Sequence, residues 1–196
     1  DVYHVCGAAW REGHGQTDQP GNLENVEIFS PCGAAALYRR VAFLEAGGFD
    51  EDYFCYFEDV DLGFRLRLLG YQCLLIPEAR VYHFGSATSG GRHSDFAVYH
   101  GHRNLIWTYF KNMPISMFWL YLPQHLLFNA ASLLVCTRRG QFRVIARALR
   151  DALRRLPEMT VKRRSIQTRK RMTSMALRQV MARGWPTPYR AWLDRH

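Results

Sequence analysis

The sequence has no closely spaced pair of cysteines. Its five cysteines are widely scattered, and no two are separated by two residues as in a metal-binding CxxC pair. Neither a zinc ribbon nor a disulfide framework is therefore indicated. We expect reduced thiols that are buried as small apolar side chains, as in a cytosolic protein.

Nucleotide-binding loops and export signals are also absent. The glycine-rich stretches near Gly13 and Gly90 lack the Lys-Ser/Thr pair of a P-loop, and neither forms a dinucleotide-binding fingerprint. The sequence begins at Asp1 rather than Met and has no signal-peptide pattern, so we expect a piece of a longer protein. Its 196 residues are enough for one domain and an appendage.

Acidic residues are scarce in the last third of the chain. Residues 138–196 contain 17 Lys and Arg but 3 Asp and Glu, and the first 137 residues are mildly acidic. Basic amphipathic helices are predicted over Gln141–Leu156 and over about 158–183. Such a segment suits an anionic partner. No nucleic-acid motif accompanies it, so an anionic membrane surface is favoured over nucleic acid.

No charged residue occurs from Asn112 to Thr137. A segment of this length could span a bilayer, but Pro114 and Pro123 interrupt it. A polar stripe also runs along one face of the expected helix, formed by Tyr121, His125, Asn129 and Ser132. This pattern favours helices in the membrane interface, with a spanning helix and ordinary core helices as the alternatives.

The clearest secondary-structure prediction is a helix from about Glu58 to Leu69. Apolar residues recur every three or four positions, acidic residues fill the first turn, and Gly70 is placed to end the helix. Short strands are predicted at Val26–Phe29, Gln72–Ile76 and Arg80–His83. The mixture of elements indicates an α/β protein.

The start of this helix is the best candidate for chemistry. Asp61 is placed to pair with Arg65 four positions later, which leaves Asp59 free. The helix dipole keeps a first-turn carboxylate ionised, which suits a general base or a neighbour of a hard metal ion. The extended chain after the helix is long enough to bring His83 back beside Asp59. A set of acidic helix caps is the alternative interpretation.

Several short pieces of sequence follow one another in a specific order. They are CGAAALYRR (32–40), GGFDE (47–51), YFEDVDL (56–62), VYH (81–83), SATSG (86–90), RN (103–104) and KNMP (111–114). In this order and spacing, the run from about Gly13 to Arg171 resembles the inverting family-2 glycosyltransferases. It is most similar to the rhamnosyltransferase-like group, which acts on bacterial polysaccharides and lipid-linked glycans.

The resemblance implies a partial nucleotide-diphospho-sugar transferase fold of the GT-A type, followed by amphipathic helices. It also implies sugar transfer, with inversion, from a nucleotide-diphospho-sugar to a hydroxyl of a glycan or lipid-linked acceptor, and a divalent cation, Mg²⁺ or Mn²⁺. The implied residues are Asp59 as the base, Gly33, Ala34, Glu58 and Asp61 at the acceptor, His83 on the metal, and Ser86 and Thr88 at the donor diphosphate.

One part of the family pattern is missing. In this family an N-terminal βαβ half ending in an Asp-x-Asp motif binds most of the donor and metal, and this sequence lacks it. We therefore predict an acceptor-side half of the catalytic domain over residues 1–111, apolar interfacial helices over 112–137 and a basic helical tail over 138–196. A peripheral enzyme on the cytoplasmic face of the bacterial inner membrane is expected. A non-catalytic remnant or membrane-binding partner module without a donor site is the alternative.

Overall fold

The protein is a mixed α/β molecule in which helices predominate. The structure is a computed structural model that describes residues 1–13, 26–83, 90–91 and 93–184. Its strands are β1 (Val2–Tyr3), β2 (Ala9–Trp10), β3 (Val26–Glu27) and β4 (Leu74–Leu75). Its α-helices are α1 (Arg40–Ala46), α2 (Glu58–Leu68), α3 (Asp95–Asn112), α4 (Ile115–Arg138), α5 (Phe142–Arg154), α6 (Leu156–Thr168) and α7 (Ser174–Gln179).

The strands form two antiparallel pairs, β1 with β2 and β3 with β4. The β3–β4 pair confirms the strands predicted at 26–29 and 72–76, although each has only two residues. The strand predicted at Arg80–His83 is wrong, because this segment lies in no sheet. After Pro77 the N–H groups of Ala79 and Arg80 donate back to the carbonyls of Ile76 and Glu78, so the chain turns away from the ladder.

Helix α2 forms where the sequence predicts it and packs into the main core. Its apolar side, with Val60, Phe64 and Leu68, is buried against Tyr3 and Phe29 from the N-terminal region. Gly70 follows the helix with a φ of 91°, a left-handed conformation that glycine adopts without strain. The apolar periodicity and the terminating glycine were therefore sufficient to place this helix.

Helices α5 and α6 from the basic segment pack against α3. Ala152 of α5 and Met159 of α6 are fully buried with Trp107 of α3, and the Trp107 indole N–H donates to the Ala152 carbonyl at 3.0 Å. A small apolar stripe that includes Ala152 and Met159 thus packs these arginine-rich helices against the core formed by the preceding residues.

The second basic helix was predicted to continue to about residue 183, and this is wrong. Helix α6 ends at Thr168, and α7 begins after Thr173, whose side chain accepts from the Ala176 N–H. Between them the N–H groups of Arg171 and Met172 donate to the Leu68 carbonyl at the end of α2. These bonds satisfy a free helix-terminal carbonyl and break the helical path.

Helix α4 turns its polar stripe inward. Residues Tyr121, His125, Asn129 and Ser132 are all buried. The His125 ring stacks on Tyr109 with centroids 3.9 Å apart, and its Nδ1–H donates to the Cys6 carbonyl at 2.8 Å. Burial lowers the pKa of His125 to about 4, so the ring is neutral at physiological pH. These polar contacts, together with apolar side chains such as the buried Met117, attach α4 to the main core.

The opposite side of α4 is apolar and exposed. We call it the outer face; it consists of Ile115, Trp119, Leu120, Leu126, Leu127 and Leu134, each more than half exposed. Among the helices that the structure describes, none, α4 included, has the length and hydropathy needed to cross a membrane.

A buried ionic cluster joins α2 to α3. The Asp61 carboxylate is fully buried and forms ion pairs with Arg65 at 2.8 Å and with Lys111 of α3 at 2.9 Å. The Asn112 side-chain amide donates to it at 2.7 Å. Burial alone would raise the pKa of Asp61, but the charges of Lys111 and Arg65 outweigh it and lower the pKa. The predicted Asp61–Arg65 pair is confirmed.

Lys111→Met is expected to destabilise the fold by about 3–5 kcal/mol, because it leaves a buried carboxylate with one counter-ion fewer. Urea unfolding of the two proteins measures the loss. The control is Arg150→Met, which removes an exposed pair with Asp151 and should cost less than about 1 kcal/mol. Equal losses from the two substitutions would show that the buried cluster does not hold α2 on α3.

Candidate active site

Asp59 lies in the first turn of α2, half-buried, with both carboxylate oxygens fixed by backbone donors. Its Oδ2 accepts from the Gly33 N–H at 2.8 Å, and its Oδ1 accepts from the Val60 N–H at 2.8 Å. The two N–H donors fix the carboxylate at the positive end of the helix dipole. The carboxylate is thus held in one orientation on a partly open surface, as a proton acceptor requires.

Gly33 reaches Asp59 because the segment before it lies directly on α2. At Gly63 of α2, an added Cβ would stand 2.2 Å from the Ser30 Cβ, so only glycine permits this approach. The chain then enters a 3₁₀ turn over Gly33–Ala35, closed by the Ala35 N–H and the Cys32 carbonyl at 2.9 Å. A close backbone contact and a short turn therefore place one of the two donors to the carboxylate.

Two polar atoms beside Asp59 have no partner. The Glu58 Oε2 and the Tyr38 hydroxyl are each shielded from solvent, and among the described residues neither has a hydrogen-bond partner. Burial and the charge of Asp59 raise the pKa of Glu58. Burial and the charges of Asp59 and Glu58 raise the pKa of Tyr38. Buried groups of this kind normally find a partner, so a bound hydroxyl would suit them.

The predicted acceptor residues divide between this site and the core. Gly33, Glu58 and Asp59 come together, and Ala34 follows Gly33 in the same exposed turn. Asp61 faces the other way, fully buried in the ionic cluster, so its contribution is to fix α2 rather than to offer an oxygen to a ligand. Residues two positions apart on a helix do not face the same side, so the different directions of the Asp59 and Asp61 side chains agree with their spacing.

The predicted metal ligand is not joined to Asp59 in the part of the chain that the structure describes. His83 is exposed and lies in no helix or strand, and no hydrogen bond or ion pair to Asp59 is found among the described residues. Within the described ranges, no group of three or more His, Cys, Asp or Glu side chains is arranged to hold a metal ion. Ser86 and Thr88 lie outside the described residues. These residues alone therefore do not make a cation site.

Sequence reasoning gave no role to three residues that the structure places in or behind the site. Tyr38 lies beside the carboxylates, and Lys111 and Asn112 fix Asp61 from behind. All three nevertheless belong to the short sequence pieces on which the family resemblance rests, at 32–40 and 111–114. Their function was hidden because the partners of each are far away in the chain, 51 positions in the case of Asn112 and Asp61, and only the fold brings them together.

Asp59→Asn is expected to lower the pKa of Glu58 toward the ordinary glutamate value, because one of the two causes of its elevation is the Asp59 charge. Carbon-13 NMR titration of the carboxyl groups measures this shift. Glu51→Gln, at an exposed position in the preceding turn, should leave the pKa of Glu58 unchanged. An unchanged value in Asp59→Asn would contradict the close contact of the two carboxylates.

Comparison with known proteins identifies the family. The sequence model for "Glycosyl transferase family group 2" matches residues 22–138. Two curated relatives, the N-acetylglucosaminyl-diphospho-decaprenol L-rhamnosyltransferases of Mycobacterium tuberculosis strains CDC 1551 and H37Rv, are each 49% identical over 58 residues. The aligned segment covers 30% of this chain and 19% of each relative. No solved structure matches the chain significantly. The chain therefore belongs to the family-2 glycosyltransferases and is similar to the rhamnosyltransferases among them.

Proposed function

We propose that this chain forms the acceptor side of an inverting sugar transferase, in which Asp59 is the general base. The observation that carries the proposal is the Asp59 carboxylate at the start of α2, fixed by the Gly33 and Val60 N–H groups beside two unpartnered polar atoms. The family supports a nucleotide-sugar donor and a hydroxyl acceptor. The acceptor hydroxyl would donate to Asp59, within reach of the Glu58 and Tyr38 oxygens.

The proposed chemistry follows from this placement. Asp59 takes the proton from the acceptor hydroxyl as its oxygen attacks the anomeric carbon of the donor sugar. The bond to the nucleotide diphosphate breaks on the opposite face, so the configuration inverts. The contribution of this chain is to fix the base and to orient the acceptor.

The substrate class is proposed from the relatives. Their name describes the transfer of L-rhamnose to N-acetylglucosaminyl-diphospho-decaprenol. We propose that the acceptor here is likewise a sugar carried on a diphospho-polyprenol and that the product enters a cell-envelope glycan. A water-soluble probe of this class is N-acetylglucosaminyl-diphospho-farnesol, which carries a shorter prenyl chain.

The donor side is proposed to complete a GT-A-type fold with residues outside those described. Ser86 and Thr88 near the donor diphosphate and His83 on a divalent cation stay predictions. Mg²⁺ or Mn²⁺ would offset the charge of the departing diphosphate. His83 would need further ligands from outside the described residues, since these offer no cluster for a metal.

Asp59→Asn is expected to lower the turnover of the complete encoded protein by at least about 100-fold, because it removes the general base. Release of nucleotide diphosphate with the farnesol-linked probe measures turnover, and calorimetry checks that donor binding is retained. Glu51→Gln is the control and should retain the wild-type rate. Turnover retained in Asp59→Asn would rule out this base.

Gly33 offers a sharper test of the same step. Gly33→Pro removes the N–H that donates to Asp59, and a bond to a charged group is worth about 1.5–3 kcal/mol. Cys32 already has the extended backbone that a following proline requires, with φ −79° and ψ 132°. Gly33→Ala keeps the N–H, and its Cβ would make an ordinary 3.5 Å contact with Asp59. Equal activities of the two variants would contradict a role for this bond.

We further propose that the outer face of α4 binds an anionic membrane surface. Support comes from the continuous apolar side chains and from Trp119, a residue typical of the membrane interface. Exposed arginines follow at the C-terminal end of the helix, at Arg138 and Arg139, and in the first turn of α5, at Arg143. Each adds about 1 kcal/mol of attraction to anionic lipid. This position would bring a peripheral enzyme to its lipid-linked acceptor, on the cytoplasmic face of the inner membrane.

The paired substitution Leu126→Glu and Leu127→Glu is expected to weaken binding to phosphatidylglycerol vesicles by at least about 100-fold. The reason is that two exposed leucines would otherwise be buried in lipid, each worth about 1.5–3 kcal/mol. Sedimentation with vesicles measures the binding.

The control for vesicle binding is Val161→Glu, a comparably exposed apolar position on α6. Vesicles of phosphatidylcholine alone test the electrostatic contribution of the arginines. The wild type should bind these uncharged vesicles more weakly than phosphatidylglycerol vesicles. Absence of vesicle binding together with concentration-dependent self-association would assign the outer face to a second copy of the chain and overturn the membrane proposal.

A further inference from the structure

An exposed group of aromatic rings lies just before the candidate base. Phe54 and Tyr56 come from the loop that precedes α2, and Phe96 and His100 come from α3. Phe96 lies 4.5 Å from His100, 6.3 Å from Phe54 and 6.1 Å from Tyr56, between ring centroids. Phe54 is 77% exposed and Phe96 is 39% exposed. We call these four rings the aromatic platform.

The backbone of the platform loop is strained. Phe54, Tyr56 and Phe57 all have positive φ values, of 61°, 64° and 67°. Such values are uncommon for residues other than glycine and are unfavourable for bulky side chains. At Phe54 the ψ of −58° places the residue outside the left-handed helical region as well. Strain of this kind costs about 1–3 kcal/mol per residue and persists only where the surroundings enforce it.

Two residues of α3 enforce this conformation. The fully buried Asn104 donates from its amide nitrogen to the carbonyls of Tyr53, Cys55 and Tyr56, at 3.0, 2.8 and 2.7 Å. Arg103 donates to the Tyr53 carbonyl at 3.0 Å and, through its Nε, to the side-chain Oδ1 of Asn104 at 2.9 Å. These bonds hold Phe54 out in solvent, where the hydrophobic effect alone would not place it.

The platform is contiguous with the base. Phe57 ends the loop as the residue preceding α2, so Glu58 and Asp59 follow directly. Burial, then the charge of Glu58, raises the pKa of the Cys55 thiol, in agreement with a loop that runs directly into the start of α2. The loop that carries Phe54 and Tyr56 and the carboxylates of Glu58 and Asp59 therefore belong to one short stretch of chain.

We propose that the aromatic platform binds the sugar ring of the acceptor, with the C–H face of the sugar against the exposed Phe54 ring and with Phe96, whose ring stands at 77° to it, at the side of the sugar. This inference rests on the proposed function and names the surface that recognises its acceptor. A pyranose ring has an apolar face and a rim of hydroxyl groups, and the site pairs aromatic faces with carboxylates. A prenyl chain has no hydroxyl group that could donate to the carboxylates. The long apolar surface that suits a lipid chain is the outer face of α4.

The test combines kinetics with ligand-observed NMR on the complete encoded protein, using N-acetylglucosaminyl-diphospho-farnesol as the probe. Phe54→Ala and Phe96→Ala are each expected to raise the KM for the probe by about five- to tenfold, as loss of a stacked aromatic contact predicts. The KM for the nucleotide sugar should not change, and Phe54→Trp should restore the wild-type KM. Phe142→Ala, an exposed phenylalanine on α5, is the matched control.

Saturation-transfer NMR separates this inference from the proposed chemistry, because it requires no turnover. Irradiation of the aromatic protons should transfer saturation to the N-acetylglucosamine protons in the wild type and in Asp59→Asn, and less in Phe54→Ala. That pattern without any transferase activity would keep the platform and reject the chemistry. Saturation confined to the prenyl protons, an unchanged KM in both alanine variants, or an equal rise in the donor KM would overturn the platform.

Discussion

The buried pair between Asp61 and Lys111 is the contact on which the geometry of the site depends. Asp61 lies on α2 and Lys111 on α3, and neither side chain is accessible to water. Such charges tolerate burial only when their partners are correctly placed, so the pair permits little sliding of one helix on the other. Since Asp59 is two residues from Asp61, fixing one carboxylate inside the core fixes the direction of the other outside it.

Ion pairs connected to this cluster use part of the high positive charge in the last third of the chain. Lys162 of α6 forms ion pairs with Asp50 and Asp52, each at 2.5 Å, and Arg155 pairs with Asp52 at 2.8 Å. Burial would raise the pKa of Asp50, but Lys111 and Lys162 lower it to about 2. Part of the basic segment thus neutralises acidic groups of the preceding residues, and fewer of its charges are available to an external anion.

Local sequence patterns predicted local structure well and long-range placement poorly. The apolar period and Gly70 located α2, and the four-residue spacing located the Asp61–Arg65 pair. Those signals depend only on neighbouring residues. The length of α6 failed as a prediction because the Leu68 carbonyl captures the chain at Arg171, a contact across about 100 positions. The Gly33–Asp59 bond escaped prediction for the same reason, although both residues were singled out for the site.

Helix α4 divides its two tasks between its two sides. The side that attaches it to the fold combines buried apolar contacts, such as that of Met117, with the His125 ring, which donates to the Cys6 carbonyl. Most of the large side chains that face outward are apolar, and they make no contact on which the core depends. Substitutions on the two sides should therefore have nearly independent effects. A change on the outer face can alter what the helix contacts outside the molecule while α4 stays packed against the core. The binding preference of such a surface can therefore change through single substitutions without loss of the fold.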